Sequence, residues 1–383
     1  MDFELTPEQR EIRKVAREFA EGEIAPLAAK HDETGLFPRE IIQKLGKLGF
    51  MGVLAPPEYG GAGLDYVSYA LIVEELSRVD GSVSITMWAH NSLCASHISL
   101  FGTRAQKEKY LVPLARGEAI GAWGLTEPGS GSDAAAMKST AVRDGRHFVL
   151  NGTKAFITNG SVGQIAVVMA MTDPARGSKG ISAFILEQGM PGFRPGQRYK
   201  KLGLHASDTS ELVLDGVRVP EENLLGDLHM GFVNALQVLE GGRIAMAAMA
   251  VGLAQGALDA SLAYLKQRAA FGKTLAEFNG LQGMVGEMGT EIEAARLLTL
   301  RAAHLKDQGK PARLAASMAK VFASEVGMRA ATRAVQLHGG AGYMTEFPVE
   351  RIFRDVKLCE IGEGTSEIQR MVIARELLGL RAF

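Results

Sequence analysis

His147-Phe148-Val149-Leu150-Asn151-Gly152 marks a change in the character of the chain. Up to about residue 117, apolar residues recur at helical spacing, with turn signals at Pro56-Pro57 and Tyr59-Gly60-Gly61. Between about 120 and 225 that spacing gives way to short apolar runs: His147 to Leu150, Ile165 to Thr172, Ile181 to Glu187 and Glu211 to Leu214. Asn151-Gly152 and Asp215-Gly216 sit between such runs, and these pairs supply the positive φ angles that tight hairpins require. An antiparallel β domain is therefore expected there. Beyond Gly231, long segments rich in alanine, leucine and methionine return, broken near Phe271-Gly272, Gly309-Lys310-Pro311 and Gly339-Gly340, with room for four long helices. The expected fold is mainly α with a central β domain. An N-terminal helical domain would span 1–117, the antiparallel β domain 118–226 and a C-terminal helical bundle 227–383.

Composition narrows the function classes. A chain of 383 residues with 46% hydrophobic content can bury a large core. Its 42 basic and 43 acidic residues leave a formal net charge of -1, so it has no bulk attraction for nucleic acid or anionic lipid. The two cysteines, Cys94 and Cys359, lack the spacing of a metal site, and no metal is expected. A reduced, cytoplasmic compartment fits that usage. The N-terminus reads as structure rather than as a targeting signal: Thr6-Pro7-Glu8-Gln9 has capping-box spacing, and Ile12, Val15, Ala16 and Phe19 follow at helical intervals. Ile244 to Leu258 is apolar, but Gln255 interrupts it and Arg243 and Asp259 bound it, a span too short for a bilayer. A buried bundle helix is expected.

The chemistry is densest at Ile361-Gly362-Glu363-Gly364-Thr365-Ser366-Glu367-Ile368-Gln369-Arg370. One carboxylate stands between two glycines just ahead of a helix start, which makes Glu363 the candidate catalytic base. The glycines let a substrate approach closely, and Ser366 with Gln369 has capping-box spacing. A helix N-terminus would keep the carboxylate ionised, whereas a dry cleft would raise its pKa.

A second segment reads Trp123-Gly124-Leu125-Thr126-Glu127-Pro128-Gly129-Ser130-Gly131-Ser132-Asp133. Its glycines loosely match a dinucleotide fingerprint, but no strand precedes and no helix follows in the required register, so they are expected to form a turn. Downstream come Phe156-Ile157-Thr158-Asn159-Gly160, Arg268-Ala269-Ala270-Phe271-Gly272-Lys273, Gln336-Leu337-His338-Gly339-Gly340, and Pro348-Val349-Glu350-Arg351 with Arg354-Asp355. In this order, and with the Glu363 segment, they resemble the acyl-CoA dehydrogenase family across nearly the whole chain.

The resemblance implies that the chain is a flavoprotein that binds FAD and an acyl-CoA. It places Trp123, Leu125, Thr126, Phe156 and Thr158 at the flavin ring, with Phe156 where a tryptophan is often found. Arg268 would reach the pyrophosphate of a neighbouring subunit's FAD, Phe271 would pack near it, and Gln336, Gly339 and Gly340 would lie along its adenosine portion. Thr365 and Glu367 would also touch the cofactor. Ser132, Glu240, Arg243 and Gly364 would face the substrate, with Ser132 at the pantetheine arm. Some relatives place their base immediately before the arginine at position 243, and here that position is Gly242, which leaves the task to Glu363.

The implied reaction is α,β-dehydrogenation to a trans-2-enoyl-CoA: Glu363 takes the α proton, flavin N5 takes the β hydride, and the Glu363 N–H helps to stabilise the thioester oxygen. Electrons would pass to an electron-transfer flavoprotein, and the assembly would be a homotetramer. An acyl-CoA oxidase, or a noncatalytic scaffold of the same fold, shares these motifs.

Overall fold

The computed structural model describes residues 4–380, so the outermost limits set above, 1 and 383, lie outside the described residues. Five helices open the chain: α1 (Pro7–Phe19), α2 (Ala25–Thr34), α3 (Arg39–Lys47), α4 (Tyr66–Ser77) and α5 (Gly81–Ala89). Three shorter ones follow, α6 (Ser96–Phe101), α7 (Arg104–Gln106) and α8 (Val112–Ala115). The expected cap is present at α1, where Thr6 and Gln9 exchange side-chain to backbone hydrogen bonds of 3.1 Å.

Eight strands come next: β1 (Gly121–Gly124), β2 (Thr140–Asp144), β3 (His147–Thr158), β4 (Ile165–Met171), β5 (Ile181–Glu187), β6 (Phe193–Arg198), β7 (Thr209–Pro220) and β8 (Leu224–Leu225). They form one sheet in the order β6-β7-β3-β2-β4-β5-β8, with β1 added on β4. The sheet is mixed rather than antiparallel throughout, because β1 runs parallel to β4 and β2 meets β4 in parallel at Thr140 and Met171. The Asn-Gly and Asp-Gly pairs do not make hairpins. They face each other inside the long β3/β7 ladder, whose register slips between Leu150 and Gly152, and Asn151 Oδ1 accepts the Gly216 N–H at 2.9 Å. A bulge satisfies positive φ as well as a turn does, and Gly152 (φ 144°) and Gly216 (φ 63°) use it that way. The turn between β2 and β3 is at Gly145-Arg146 instead, where Asp144 pairs with His147.

Both faces of β4 and β5 are covered, which is why they read as continuous apolar runs. Ile165, Val167 and Met169 pack with Ile98, Leu111 and Leu114 from the helices, while Ala166, Val168 and Ala170 join Phe148, Leu150 and Val217 on the other face.

The C-terminal part has three long helices and two short ones, rather than four long ones: α9 (Gly231–Gln267), α10 (Asn279–Asp307), α11 (Arg313–His338), α12 (Val349–Ile361) and α13 (Ser366–Leu377). The breaks fall where glycine and proline predicted them. A two-stranded ribbon, β9 (Ala269–Ala270) with β10 (Lys273–Thr274), carries Phe271-Gly272 at its tip. Helix α9 is long and apolar enough to cross a membrane, but 83% of its most apolar window is buried inside the protein. It is the central helix of the main core, packed with α4, α10 and α11. Its glycines permit this: a Cβ at Gly252 would stand 2.2 Å from the Glu74 carbonyl oxygen of α4.

Arg354 and Asp355 of α12 join the three parts. Arg354 binds Asp32 of α2 at 2.6 Å and Glu350 at 2.8 Å, while Asp355 accepts the Leu204 N–H from the β6–β7 connection at 2.5 Å.

Candidate active site

Glu363 lies in the turn between α12 and α13, directly against α9. A Cβ added to Gly242 would stand 2.3 Å from Glu363 Oε2, so glycine at 242 is what gives this carboxylate its place. Glu363 as a whole is partly exposed, yet its Oε2 is buried and meets no hydrogen-bond partner among the described residues. Its backbone is left-handed (φ 58°), a conformation that costs a non-glycine residue on the order of 1–3 kcal/mol. Gly364 follows with φ 89°.

The surroundings hold this strained turn. Gln369 Nε2 donates to the carbonyl oxygens of Glu363 (2.9 Å) and Gly364 (3.0 Å). Lys320 of α11, fully buried, donates to the Gly364 carbonyl at 2.8 Å. The α13 cap is Thr365, which accepts the Ile368 N–H at 3.4 Å. That corrects the expected Ser366–Gln369 capping box: Ser366 is already the first helical residue, and Gln369 turns back to the Glu363 loop instead.

Burial dominates the electrostatics. It raises the Glu363 carboxyl to about 7, and the charges of Arg243 and Lys320 oppose the rise only in part. Burial also lowers the Lys320 ammonium to about 8 and depresses the Arg243 guanidinium from its usual range. Arg243 is buried, its Nε is without a hydrogen-bond partner among the described residues, and its guanidinium reaches the Ser317 hydroxyl at a long 3.5 Å. Glu240, one turn earlier, instead sits 3.7 Å from Lys306 and 3.5 Å from Arg313. Thr365 and Glu367 border a surface depression with Lys357, Ile361 and Arg370.

A second group of predicted residues gathers on the β domain. Trp123, next to last in β1, is partly buried and donates to His97 at 3.0 Å, Leu125 is buried, and the Thr126 carbonyl accepts the Ala155 N–H at 2.9 Å. The glycine segment does turn: Glu127 and Ser130 pair backbone to backbone, leaving Ser132 exposed. Sequence reasoning missed the buried pair beneath it, Lys154 Nζ 2.7 Å from Glu127, which also accepts the Lys138 and Ser139 N–H groups. A single lysine in an alternating strand gives no signal of such burial. Phe156 and Thr158 lie at the end of β3, and Phe156 is 62% exposed, its ring tilted against that of Tyr199 with centroids 4.9 Å apart, with φ 59°.

The third group is remote. Arg268 caps α9, Phe271 is 96% exposed with φ 51°, and Gln336, Gly339 and Gly340 are exposed at the end of α11. Tyr264 and His338 stack at 4.4 Å and bring these two segments to one end of the bundle. From Gly242 to Arg268 is 26 residues along α9, roughly 39 Å at the helical rise.

These surfaces fit a flavin dinucleotide. Phe156 and Phe271 present aromatic faces outward from strained backbone. A Cβ at Gly129, Gly131 or Gly340 would meet nothing within 4 Å, so contacts inside the chain do not account for these glycines.

Comparison with known proteins gives the arrangement its family. Models described as the N-terminal, middle and C-terminal domains of acyl-CoA dehydrogenase match residues 6–118, 122–217 and 229–378. The short-chain-specific acyl-CoA dehydrogenase of Clostridium acetobutylicum is 51% identical over 98% of this chain and 100% of its own. Butyryl-CoA dehydrogenase from Megasphaera elsdenii superposes with a TM-score of 0.97 at 47% identity, covering 99% of this chain and 100% of that one. A chain solved in work on the electron transferring flavoprotein of Acidaminococcus fermentans and flavin-based electron bifurcation reaches 0.98 at 51% identity, with 99% and 100% covered. By fold and sequence, this chain belongs to the acyl-CoA dehydrogenase family and is an FAD-dependent enzyme of the kind that dehydrogenates acyl-CoA thioesters.

Proposed function

We propose that Glu363 is the base that removes the α proton from a short-chain acyl-CoA, yielding a trans-2-enoyl-CoA. The observation that carries this reading is the buried, unpaired Glu363 Oε2, raised to about 7 and seated against Gly242. A base with a pKa near the working pH combines a large ionised fraction with real proton affinity. FAD, when bound, supplies the hydride acceptor at N5 for the β hydrogen. Trp123, Leu125, Thr126, Phe156 and Thr158 would hold its ring, and Thr365 and Glu367 would complete the contact from the α13 side.

The Glu363 N–H donates to no backbone acceptor among the described residues, which leaves it free to stabilise charge on the thioester oxygen as the proton departs. Arg243 holds the local charge balance, Glu240 steadies that stretch of α9 through Lys306 and Arg313, and Gly364 leaves room for the acyl group. Ser132, exposed beside the flavin turn, would meet the pantetheine arm.

Arg268 lies too far along α9 to serve a flavin beside its own Glu363, so it and Phe271, Gln336, Gly339 and Gly340 would serve the cofactor of a second copy, within a homotetramer. Electron-transfer flavoprotein is the proposed acceptor, in keeping with the solved chain of similar fold from that system. A cytoplasmic location agrees with two free, buried cysteines and bacterial relatives.

The test is anaerobic flavin bleaching across thioesters from butyryl to palmitoyl. Each buried methylene favours binding by about 0.8 kcal/mol until the pocket ends, so the rate should peak at one length. A short-chain maximum is expected, and one at palmitoyl would overturn the substrate assignment.

A further inference from the structure

Two lysines are fully buried in this protein, and they are satisfied differently. Lys154 stands 2.7 Å from the Glu127 carboxylate and 3.3 Å from the Leu125 carbonyl, an ordinary buried ion pair. Among the described residues, Lys320 has no carboxylate within ion-pair distance, and its one hydrogen bond goes to the Gly364 carbonyl at 2.8 Å. An ammonium with three donors is a costly group to bury for a single backbone carbonyl. That carbonyl belongs to the one turn whose shape sets the direction of Glu363.

We propose that Lys320 is a positioning residue for the catalytic carboxylate: with Gln369 it clamps the consecutive carbonyls of the left-handed Glu363-Gly364 turn and so holds Glu363 against Gly242. This rests on the reading of Glu363 as the base. Left-handed backbone at a glutamate persists only where its surroundings over-determine it. Here three hydrogen bonds from two side chains do so, one from α11 and two from α13. Without the clamp, the turn can relax toward ordinary backbone and swing Oε2 away from Gly242.

The clamp is also electrical. The titratable groups around the turn are Arg243 on α9, Lys320 on α11, Glu360 on α12, and the Tyr69 phenol of α4 and Cys359 thiol of α12, both of which burial keeps neutral. Of these, Arg243 and Lys320 favour the ionised form of Glu363. A merely structural lysine would not move the titration of the base, whereas this one must.

The experiment uses the FAD-loaded enzyme and a short acyl-CoA, and records the rate of anaerobic bleaching and the pH profile of kcat/KM. In Lys320→Met, kcat should fall between about tenfold and a hundredfold with KM little changed, the cost of a base misplaced by a fraction of an ångström or more. The rising limb of kcat/KM should move to higher pH by about one unit, as expected when a nearby opposite charge is lost. Lys320→Arg, which keeps the charge, should leave the limb in place and recover part of the rate. Gln369→Leu removes a neutral donor, so kcat should fall while the limb stays where it is in the wild type. A Lys320→Met limb at the wild-type position overturns the proposal, whether or not the rate falls. Should Lys320→Met fail to hold flavin, Gln369→Leu decides, and bleaching at the full rate in it overturns the clamp. Glu363→Gln separates the two readings: turnover in that variant removes the base assignment and the clamp together, while its loss beside an unaltered Lys320→Met removes the clamp alone.

Discussion

The Glu363 turn and the Arg268–Phe271 segment both adjoin α9, roughly 39 Å apart along it, and they are finished to different degrees. At the first, strain is matched by contacts within the chain: Gln369 and Lys320 bond the left-handed turn, and Gly242 clears space for the carboxylate. At the second, strain has no such match. Phe271 has φ 51° and is 96% exposed, edge-on to Phe278 at 6.3 Å, and Arg268 is exposed beside it. Backbone strain with internal support describes a preorganised catalytic group, whereas strain without it describes a surface completed by something that binds. On the proposed reading, one chain contains its own base and contributes to the cofactor site of another copy.

The sharpest break in that comparison is Glu363→Gln. The amide keeps the shape, so FAD content should stay at the wild-type level while substrate-driven bleaching falls by about a hundredfold to ten-thousandfold. In the wild type, kcat/KM should rise with pH through about 7, because burial has raised the carboxyl to that value and only its ionised form accepts the proton. Stopped-flow absorbance across that range checks both, and an unaltered bleaching rate would return Glu363 to a structural role.

How much of this was legible in the sequence follows the same division. Glu363 stood out because two glycines flank it, and glycine has a local reading. Lys320 and Gln369 did not. Lys320 sits in Ser317-Met318-Ala319-Lys320-Val321, ordinary helical sequence, and nothing local reveals that α11 buries it against another turn. Gln369 matched a capping spacing, but Thr365 holds the cap and frees Gln369 to bond backwards. In the sheet, Asn151-Gly152 reported its backbone angle faithfully, but a bulge and a hairpin meet that demand equally. Strand β1 is only four residues long, and its parallel partner lies some forty residues on, so the mixed character of the sheet is a long-range property that no short window contains. The helical parts were plain because periodicity is local. Five C-terminal helices stand where four long ones were expected, because the last of the four is replaced by two short ones, α12 and α13, which bracket the Glu363 turn.

Arg268→Ala tests the other region. Loss of a charge-assisted, two-pronged contact to a pyrophosphate typically costs about 1.5–3 kcal/mol, or roughly tenfold to a hundredfold in FAD affinity. Flavin retained through gel filtration at falling protein concentration measures it. Molecules that keep FAD should bleach at the wild-type rate, since nothing around Glu363 has changed. Full flavin retention in diluted monomers would show that each chain completes its own site.

Gly242→Ala probes how closely the first region is fitted. The new Cβ would meet Glu363 Oε2 at 2.3 Å and Leu93 Cδ2 at 3.2 Å, so the carboxylate must move. A fall in kcat of about tenfold is expected from that displacement. Alanine is the better helix former by about 1 kcal/mol, which offsets part of the crowding, so the melting temperature should change little. Activity and stability should therefore separate.

The smallest effect lies at the junction that ties both regions to the β domain. Asp355 is buried, burial raises its carboxyl to about 8, and the Leu204 N–H and Arg351 oppose that rise while Asp80 and Asp32 add to it. The folded protein therefore holds this proton more tightly than the unfolded chain, whose carboxyl has the ordinary value of 3.8. The resulting stability is fully present below about pH 4 and is lost as pH rises through about 8. Asp80 is shifted in the same direction, so replacing Asp355 removes only part of the dependence. In Asp355→Asn the side-chain oxygen can still accept the Leu204 N–H, and no charge appears at high pH. Between pH 6 and pH 9 the wild type should lose more of its melting temperature than the variant does, by about one to three degrees. Equal losses would mean that Asp355 is already ionised in the folded protein, with Arg351 rather than a retained proton balancing it.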